Sequence, residues 1–427
     1  MTRLRAVEWA KTSLIVLLTV SAVFLAYRSG LFNDFFSAAP LFESVAGLVR
    51  GTSGTSEPSG SAIKEAARPL VIVITGEGGW RYGVKYDTES RNALYDRTSS
   101  ILGEALGSAA QPNEVSEEEW RTALTGPGVF FEYIMPVNLS VLDGWLGVRM
   151  SLAEENVPLR RILVSFGTER NRIYYQNGDN GLFFGADTAS TAGIAQDLES
   201  HSSNGAFFAF ETDIAGSAHA PYMLIMPGNE HPNLSAALPG GPGEPMDEVL
   251  AALGHGNEEY AEYISEGMLV RVGTQFNIRA DANGRVIYRP IDWITYRGEA
   301  PAFSEREMIE IARVVVGDTI GIASGDAEVF FESLEHDAMG SGVVSFGYYI
   351  SGGRIFLHED KPAARVTITS GLVSEIELNL VSFSLTGGLT WLLPERLALA
   401  AAGGEFILSY SHTGYEMLQP SWVKHES

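Results

Sequence analysis

The pattern of apolar and polar positions divides the chain into an N-terminal apolar run, a polar stretch and a long body of alternating helix and strand signals. Thr12–Tyr27 (TSLIVLLTVSAVFLAY) carries no charge and is bracketed by Lys11 and Arg28. It falls slightly short of the ~20 residues that cross a hydrocarbon core as a helix. Flanking Lys11 and Arg28 can snorkel, and Trp9 and Tyr27 suit the interfacial layer. A transmembrane anchor over residues 12–28 is therefore expected. Arg3, Arg5 and Lys11 place the tail, residues 1–11, in the cytoplasm by the positive-inside rule, and all that follows outside. A cleaved secretory signal has the same charge pattern, but its best cleavage candidate, Ser37-Ala38-Ala39, is followed by Pro40.

Residues 40–67 read as a flexible tether, because GTSGTSEPSGSA after Arg50 offers no apolar anchor. A first domain, of α/β type, is expected over 68–245. It opens on the apolar run Pro69–Ile74, with helical spacing over Asn92–Ala105 and Glu117–Leu124. Strands are expected at Phe130–Ile134, Ile162–Phe166, Ala206–Glu211 and Tyr222–Met226, and a helix at Thr191–Ser200. A hairpin is expected about the turn Asn177–Asn180. Gly- and Pro-rich Pro227–Pro245 ends this domain.

A helix-plus-hairpin unit follows over 246–300: a broken helical segment to Ile264, then strands from Met268 to Tyr288 about the turn Asp281–Gly284. A C-terminal α+β domain over 301–427 starts with the capping box Ser304-Glu-Arg-Glu307 and the stripe Met308, Ile311, Ala312 and Val315. Strands at 328–331, 343–349, 354–357, 364–368 and 374–383, a helix at 394–402 and a strand at 406–410 complete it. The fold class is α+β: an N-terminal transmembrane helix, an α/β-type domain, and two smaller units of helices with antiparallel hairpins.

Composition narrows the chemistry. The absence of cysteine removes disulfides, thiolate metal sites and cysteine nucleophiles together. A net charge of −24 disfavours phosphate backbones, so no nucleic-acid partner is expected. No histidine pair has helical i, i+4 spacing, His-Glu-x-x-His is absent, and His358-Glu359-Asp360 beside Lys361-Pro362 reads as a solvated turn. Gly76-Glu-Gly-Gly79 lacks both G-x-G-x-x-G spacing and a Lys-Ser/Thr pair, which makes it a tight hairpin, not a phosphate loop. No Gly-x-Ser-x-Gly elbow occurs, and no catalytic, cofactor or metal residues are expected.

Two sets of contact residues remain. Trp80, Tyr82 and Tyr86 alternate along one strand and could meet a peptide or protein. In the anchor, Thr12, Ile15, Thr19, Ala22 and Ala26 recur every three or four residues and form a helix-contact stripe.

The layout resembles the YycH/YycI family, membrane-anchored extracytoplasmic regulators of the WalK sensor kinase in Gram-positive bacteria. The likeness rests on the hairpin Ala364–Leu378, the run Ser382–Gly387, Leu392-Leu-Pro-Glu-Arg-Leu-Ala-Leu-Ala400 and the closing Tyr410 with Leu418–Val423. It implies a non-enzymatic regulator acting by contact on a membrane sensor histidine kinase of a two-component system. The partners implied are that kinase and a homologous anchored regulator, with the membrane reached through the N-terminal helix. The alternative is a cell-envelope module that binds glycan or peptide through the strand around Trp80.

Overall fold

A computed structural model describes residues 67–425, except 149–156, 168–169, 190–200, 292–302, 321–322, 338–339, 370–371, 413 and 415. The expected anchor over 12–28, its contact stripe, the tether before Ala67 and the helix expected at Thr191–Ser200 lie outside the described residues. Among the described residues no helix is long and apolar enough to cross a membrane.

The apolar run after Pro69 becomes β1 (Val71–Thr75), buried along its whole length. Its alternating side chains serve two cores, Ile72 and Ile74 on one face and Val71 and Val73 on the other. A tight turn over Gly76–Trp80 returns the chain into β2 (Arg81–Val84), paired antiparallel with β1, so the glycines build a hairpin as expected. Helix α1 (Thr88–Ser108) is capped by Asp87 and buries Leu94, Ile101, Leu102 and Ala105 against the Ile72 face. After β3 (Asn113–Val115), helix α2 (Glu117–Thr125) buries Trp120 and Leu124 against the Val71 face. Strand β4 (Gly128–Asn138), helix α3 (Leu139–Leu146), β5 (Pro158–Ser165), β6 (Asn171–Asn177) and β7 (Phe183–Thr188) follow.

The seven strands lie in the order β2-β1-β4-β5-β6-β7-β3, and every pair is antiparallel. The α/β expectation for this region is corrected on that point. Every neighbour is antiparallel, and three of the six pairs (β1 with β2, β5 with β6, β6 with β7) are hairpins, so α+β describes this part too.

The segments expected as strands at 206–211 and 222–226 shrink to the two-residue β8 (Phe207–Phe208) and β9 (Leu224–Ile225). Within the Gly/Pro-rich stretch lies an unexpected strand, β10 (Glu230–Ala237), followed by α4 (Gly243–Ala252). Then come β11 (Ala261–Ser265), β12 (Met268–Val272), β13 (Phe276–Ala280) and β14 (Arg285–Pro290).

Helix α5 (Glu305–Thr319) starts at the expected capping box, with the Glu307 carboxylate accepting from the Ser304 amide at 2.8 Å. Strands β15 (Glu328–His336), β16 (Gly342–Ile350), β17 (Gly353–Leu357), β18 (Ala364–Thr369) and β19 (Leu372–Asn379) follow. Last come β20 (Ser382–Trp391), α6 (Glu395–Ala402), β21 (Phe406–His412), β22 (Met417–Leu418) and β23 (Pro420–Lys424).

The second sheet runs β11-β12-β13-β14-β19-β18-β16-β17-β21-β23, with β15 on β16. Pairing of β14 with β19 joins the strands of the two smaller expected units into one sheet. All its pairs are antiparallel except β17 with β21. A third sheet, β20-β10-β22, takes its middle strand from the region before residue 245. One apolar core runs from Ile72 and Leu94 through α5 to Ile376 and Leu378.

Candidate functional site

Beyond β2 the chain turns outward through Lys85 and Tyr86 before α1 begins. Lys85 is buried, and its ammonium donates to Glu395 Oε1 at 2.8 Å and to the Leu224 carbonyl at 3.3 Å. Glu395 opens α6 directly after Pro394, where a carboxylate meets the positive end of the helix. It is fully buried; Oε2 accepts from the Met226 amide at 2.6 Å, and the Tyr86 hydroxyl donates to Oε1. A buried carboxylate is tolerated only when its lone pairs are filled, and these donors fill them. Burial and the neighbouring Glu395 charge push the Tyr86 hydroxyl well above the usual phenol range.

Aromatic rings close around this pair. The Tyr86 ring meets His231 of β10 edge-on at 4.8 Å, and His231 meets Trp422 of β23 edge-on at 5.1 Å. Trp422 Nε1 donates to the Leu393 carbonyl at 2.7 Å. His231 is buried, and neither ring nitrogen has a hydrogen-bond partner among the described residues. Burial, reinforced by Lys85 and opposed by Glu395, lowers its pKa from 6.5 to about 4, so it is neutral at pH 7. The β16–β17 turn presses on the same place. A Cβ on Gly352 would lie 2.2 Å from the Lys85 carbonyl oxygen, so only glycine fits there.

A second ionic cluster ties β4 and β5 to the entrance of β21. Successive strand residues normally face opposite ways, but the β5–β6 register shifts between Leu159 and Arg161. That shift turns Arg160 and Arg161 toward the same carboxylates. Arg161 Nε donates to Glu132 at 2.9 Å, Arg160 pairs with Glu405 at 2.8 Å, and Arg161 pairs with Glu405 as well. Burial alone would raise the Glu405 carboxyl, but the two guanidinium groups outweigh it and hold its pKa at about 2.

The aromatic residues singled out in sequence are partly covered by the fold. Trp80 precedes β2, Tyr82 lies within it, Tyr86 follows it, and all three are half-buried against the main core. The Trp80 indole covers Gly76 so closely that a Cβ there would come within 2.0 Å of the ring. Tyr82 stacks at a tilt on His201, with ring centroids 4.8 Å apart. Of the three, only Tyr86 belongs to the Lys85–Glu395 cluster.

What the cluster can do chemically is limited by its closure. A general acid or nucleophilic carboxylate needs a free lone pair and a route for substrate. Glu395 has its oxygens engaged and no exposed surface. Burial pushes one carboxyl up among the described residues, that of Asp318 near the end of α5. It does not line the cavity of about 510 Å³ between α1 and α3, whose walls include Ser99, Gly103, Glu104 and Leu146. Among the described residues no three acidic or histidine side chains converge as a metal site. His358–Asp360 forms a turn between β17 and β18, with Glu359 paired to Lys361 at 2.8 Å.

No protein-family model matches the chain, and no curated protein matches it in sequence. Its architecture does have a counterpart. The crystal structure of YycH from Bacillus subtilis aligns with a TM-score of 0.55, covering 86% of this chain and 96% of that one. The fold is YycH-like. Sequence identity is only 14%, so what the two chains share is the path of the backbone. The YycH-like path brings residues 85, 224–231, 395 and 422 of this chain together, which the hydropathy pattern alone did not indicate.

Proposed function

We propose that this protein is a non-enzymatic regulator, held outside the cytoplasm by an anchor at residues 12–28, that acts by contact on a membrane sensor histidine kinase of a two-component system. The YycH-like architecture over 86% of the chain is the observation that supports it. The closed character of the ionic clusters fits the same reading, since side chains tied to each other hold a shape. The partners in this reading are the kinase and a homologous anchored regulator. Contact extends into the bilayer through the stripe Thr12, Ile15, Thr19, Ala22 and Ala26, because close packing of small residues is what associates helices in lipid.

The test is co-purification of the full chain from membranes with a sensor kinase, together with kinase-dependent transcription in a deletion strain. Ala22→Leu with Ala26→Leu is expected to weaken both while leaving insertion intact, and Leu at Val16 and Val23 to change neither. A deletion without effect on any two-component output overturns the proposal. Binding to cell-wall fragments that Trp80→Ala abolishes would move the reading to an envelope-binding module.

A further inference from the structure

Exposed edge strands invite pairing with other chains, and proteins blunt them with charge, proline or brevity. Nearly every sheet edge in the described residues follows that rule. Strand β11 carries Glu262, paired with Arg271 at 2.7 Å, and β23 begins at Pro420 and ends at Lys424. Strands β3 and β22 have three and two residues, and β15 carries Glu328, Glu332 and Glu335. The edge of β2 is covered by Asn204, whose side chain bonds the Gly83 amide and carbonyl at 3.1 and 2.7 Å.

Strand β20 breaks the rule. It is ten residues long, pairs with β10 on one side only, and contains neither charge nor proline. Its first residues are closed on the outer side by Ser324 and Asp326, which bond Phe383 and the Leu385 amide. From Thr386 to Trp391 no strand lies on that side among the described residues. Leu385, Leu389, Trp391 and the following Leu393 are 48%, 57%, 70% and 46% exposed. The intervening Thr386 and Thr390 hydroxyls instead bond Asn233 of β10, at 2.9 and 2.6 Å.

We propose that this edge pairs antiparallel with the same edge of a second copy, about a two-fold axis at Leu389. The spacing in sequence is symmetric about that residue, Leu385, Gly387, Leu389, Trp391, Leu393, with the β10–β20 register shifting by two residues between Leu385 and Leu389. In this register Leu389 faces Leu389 of the second copy, and each Trp391 covers the bare backbone of the opposite Gly387. Aromatic cover of an edge glycine is a known way to stabilise sheet pairing. Nothing lies within 4 Å of a Cβ built on Gly387, so there is room for the ring. Charge also favours a like partner at this place. A chain with a net charge of −24 repels its copy over most of its surface, but residues 378–394 carry no charge at all. An isologous contact along this strand sets no charged strand residue opposite another.

The absence of native cysteine makes disulfide trapping clean. In the full chain, purified in mild detergent, Leu389→Cys is expected to give a covalent dimer on mild oxidation. Gly387→Cys and Trp391→Cys are each expected to give no covalent dimer alone and to cross-link when mixed. Leu389→Lys sets two ammonium groups face to face and is expected to weaken dimerisation about tenfold or more in light scattering. A monomeric full chain overturns the proposal. So does a dimer that Leu389→Lys leaves intact and Leu389→Cys does not trap, since its contact would then lie elsewhere, including in the anchor.

Discussion

Glu395→Leu tests whether the buried cluster holds the molecule's two ends together. The substitution removes the partner of a buried ammonium, and breaking a buried ion pair from one side costs about 3–5 kcal/mol. It also strips the acceptor from the Met226 amide and the Tyr86 hydroxyl, at about 1–3 kcal/mol for each donor left dry. Relaxation lets water reach some of these groups, so about 4–6 kcal/mol is expected for the single change. Lys85→Met should cost less, because Glu395 keeps its two other donors. Combining the two removes the stranded ammonium but not the stranded amide and hydroxyl. The pair should therefore cost about 2–4 kcal/mol, less than Glu395→Leu alone, as directly coupled sites do. Urea denaturation followed by tryptophan fluorescence measures this, since Trp422 sits beside the cluster. Strictly additive costs, or a loss below about 1 kcal/mol for Glu395→Leu, would refute the account.

Acid should destabilise the protein in two windows. His231 is neutral in the fold, with its pKa lowered from 6.5 to about 4, so its contribution is complete above pH 6.5 and is lost as pH falls toward 4. His231→Phe should flatten that limb of a stability–pH curve and be neutral or stabilising at pH 7, because two unpartnered buried nitrogens disappear. Glu405, lowered from 4.5 to about 2, contributes fully above pH 4.5 and less as pH falls toward 2; Glu405→Gln should reduce the slope below pH 4.5. Gly76→Ala drives a methyl into the Trp80 indole and should cost about 1–3 kcal/mol with a shift in tryptophan emission, whereas unchanged emission would mean that the ring does not lie over Gly76.

The parts of the fold legible in sequence are those governed by local chemistry. Asn177–Asn180 made a hairpin because Asn and Gly accept the turn, and Ser304 with Glu307 started a helix because two orphan amides are capped there. Strand β10 escaped notice because Glu230, His231, Pro232 and Asn233 look like loop. Its strand character comes from its neighbour β20 and from burial of His231, Leu234 and Ala236. The run 374–383 read as one strand because its apolar alternation is continuous. The structure divides it at Leu380 and Val381, where the chain leaves one sheet for another, and tertiary pairing alone decides that break.

The site was less legible for a reason of its own. Glu395 after Pro394 is an ordinary helix start, and nothing within ten residues tells a solvated acid from a sealed one. Its cation lies 310 residues away. Charge balance held a usable signal nonetheless. With 53 acidic residues against 29 Lys and Arg, a basic side chain that the fold buries almost always has a carboxylate within reach. Arg81, Lys85, Arg91, Arg161 and Arg271 are the buried cations so paired: Arg81 with Glu211, Lys85 with Glu395, Arg91 with Glu328, Arg161 with Glu132 and Glu405, and Arg271 with Asp247 and Glu262. Three of these five cations, Lys85, Arg91 and Arg161, pair with carboxylates beyond residue 300. Such pairs add little net stability over well-packed apolar groups, but each tolerates only one partner geometry. Under the proposed contact function, that geometric demand would fix how the contact surface is held.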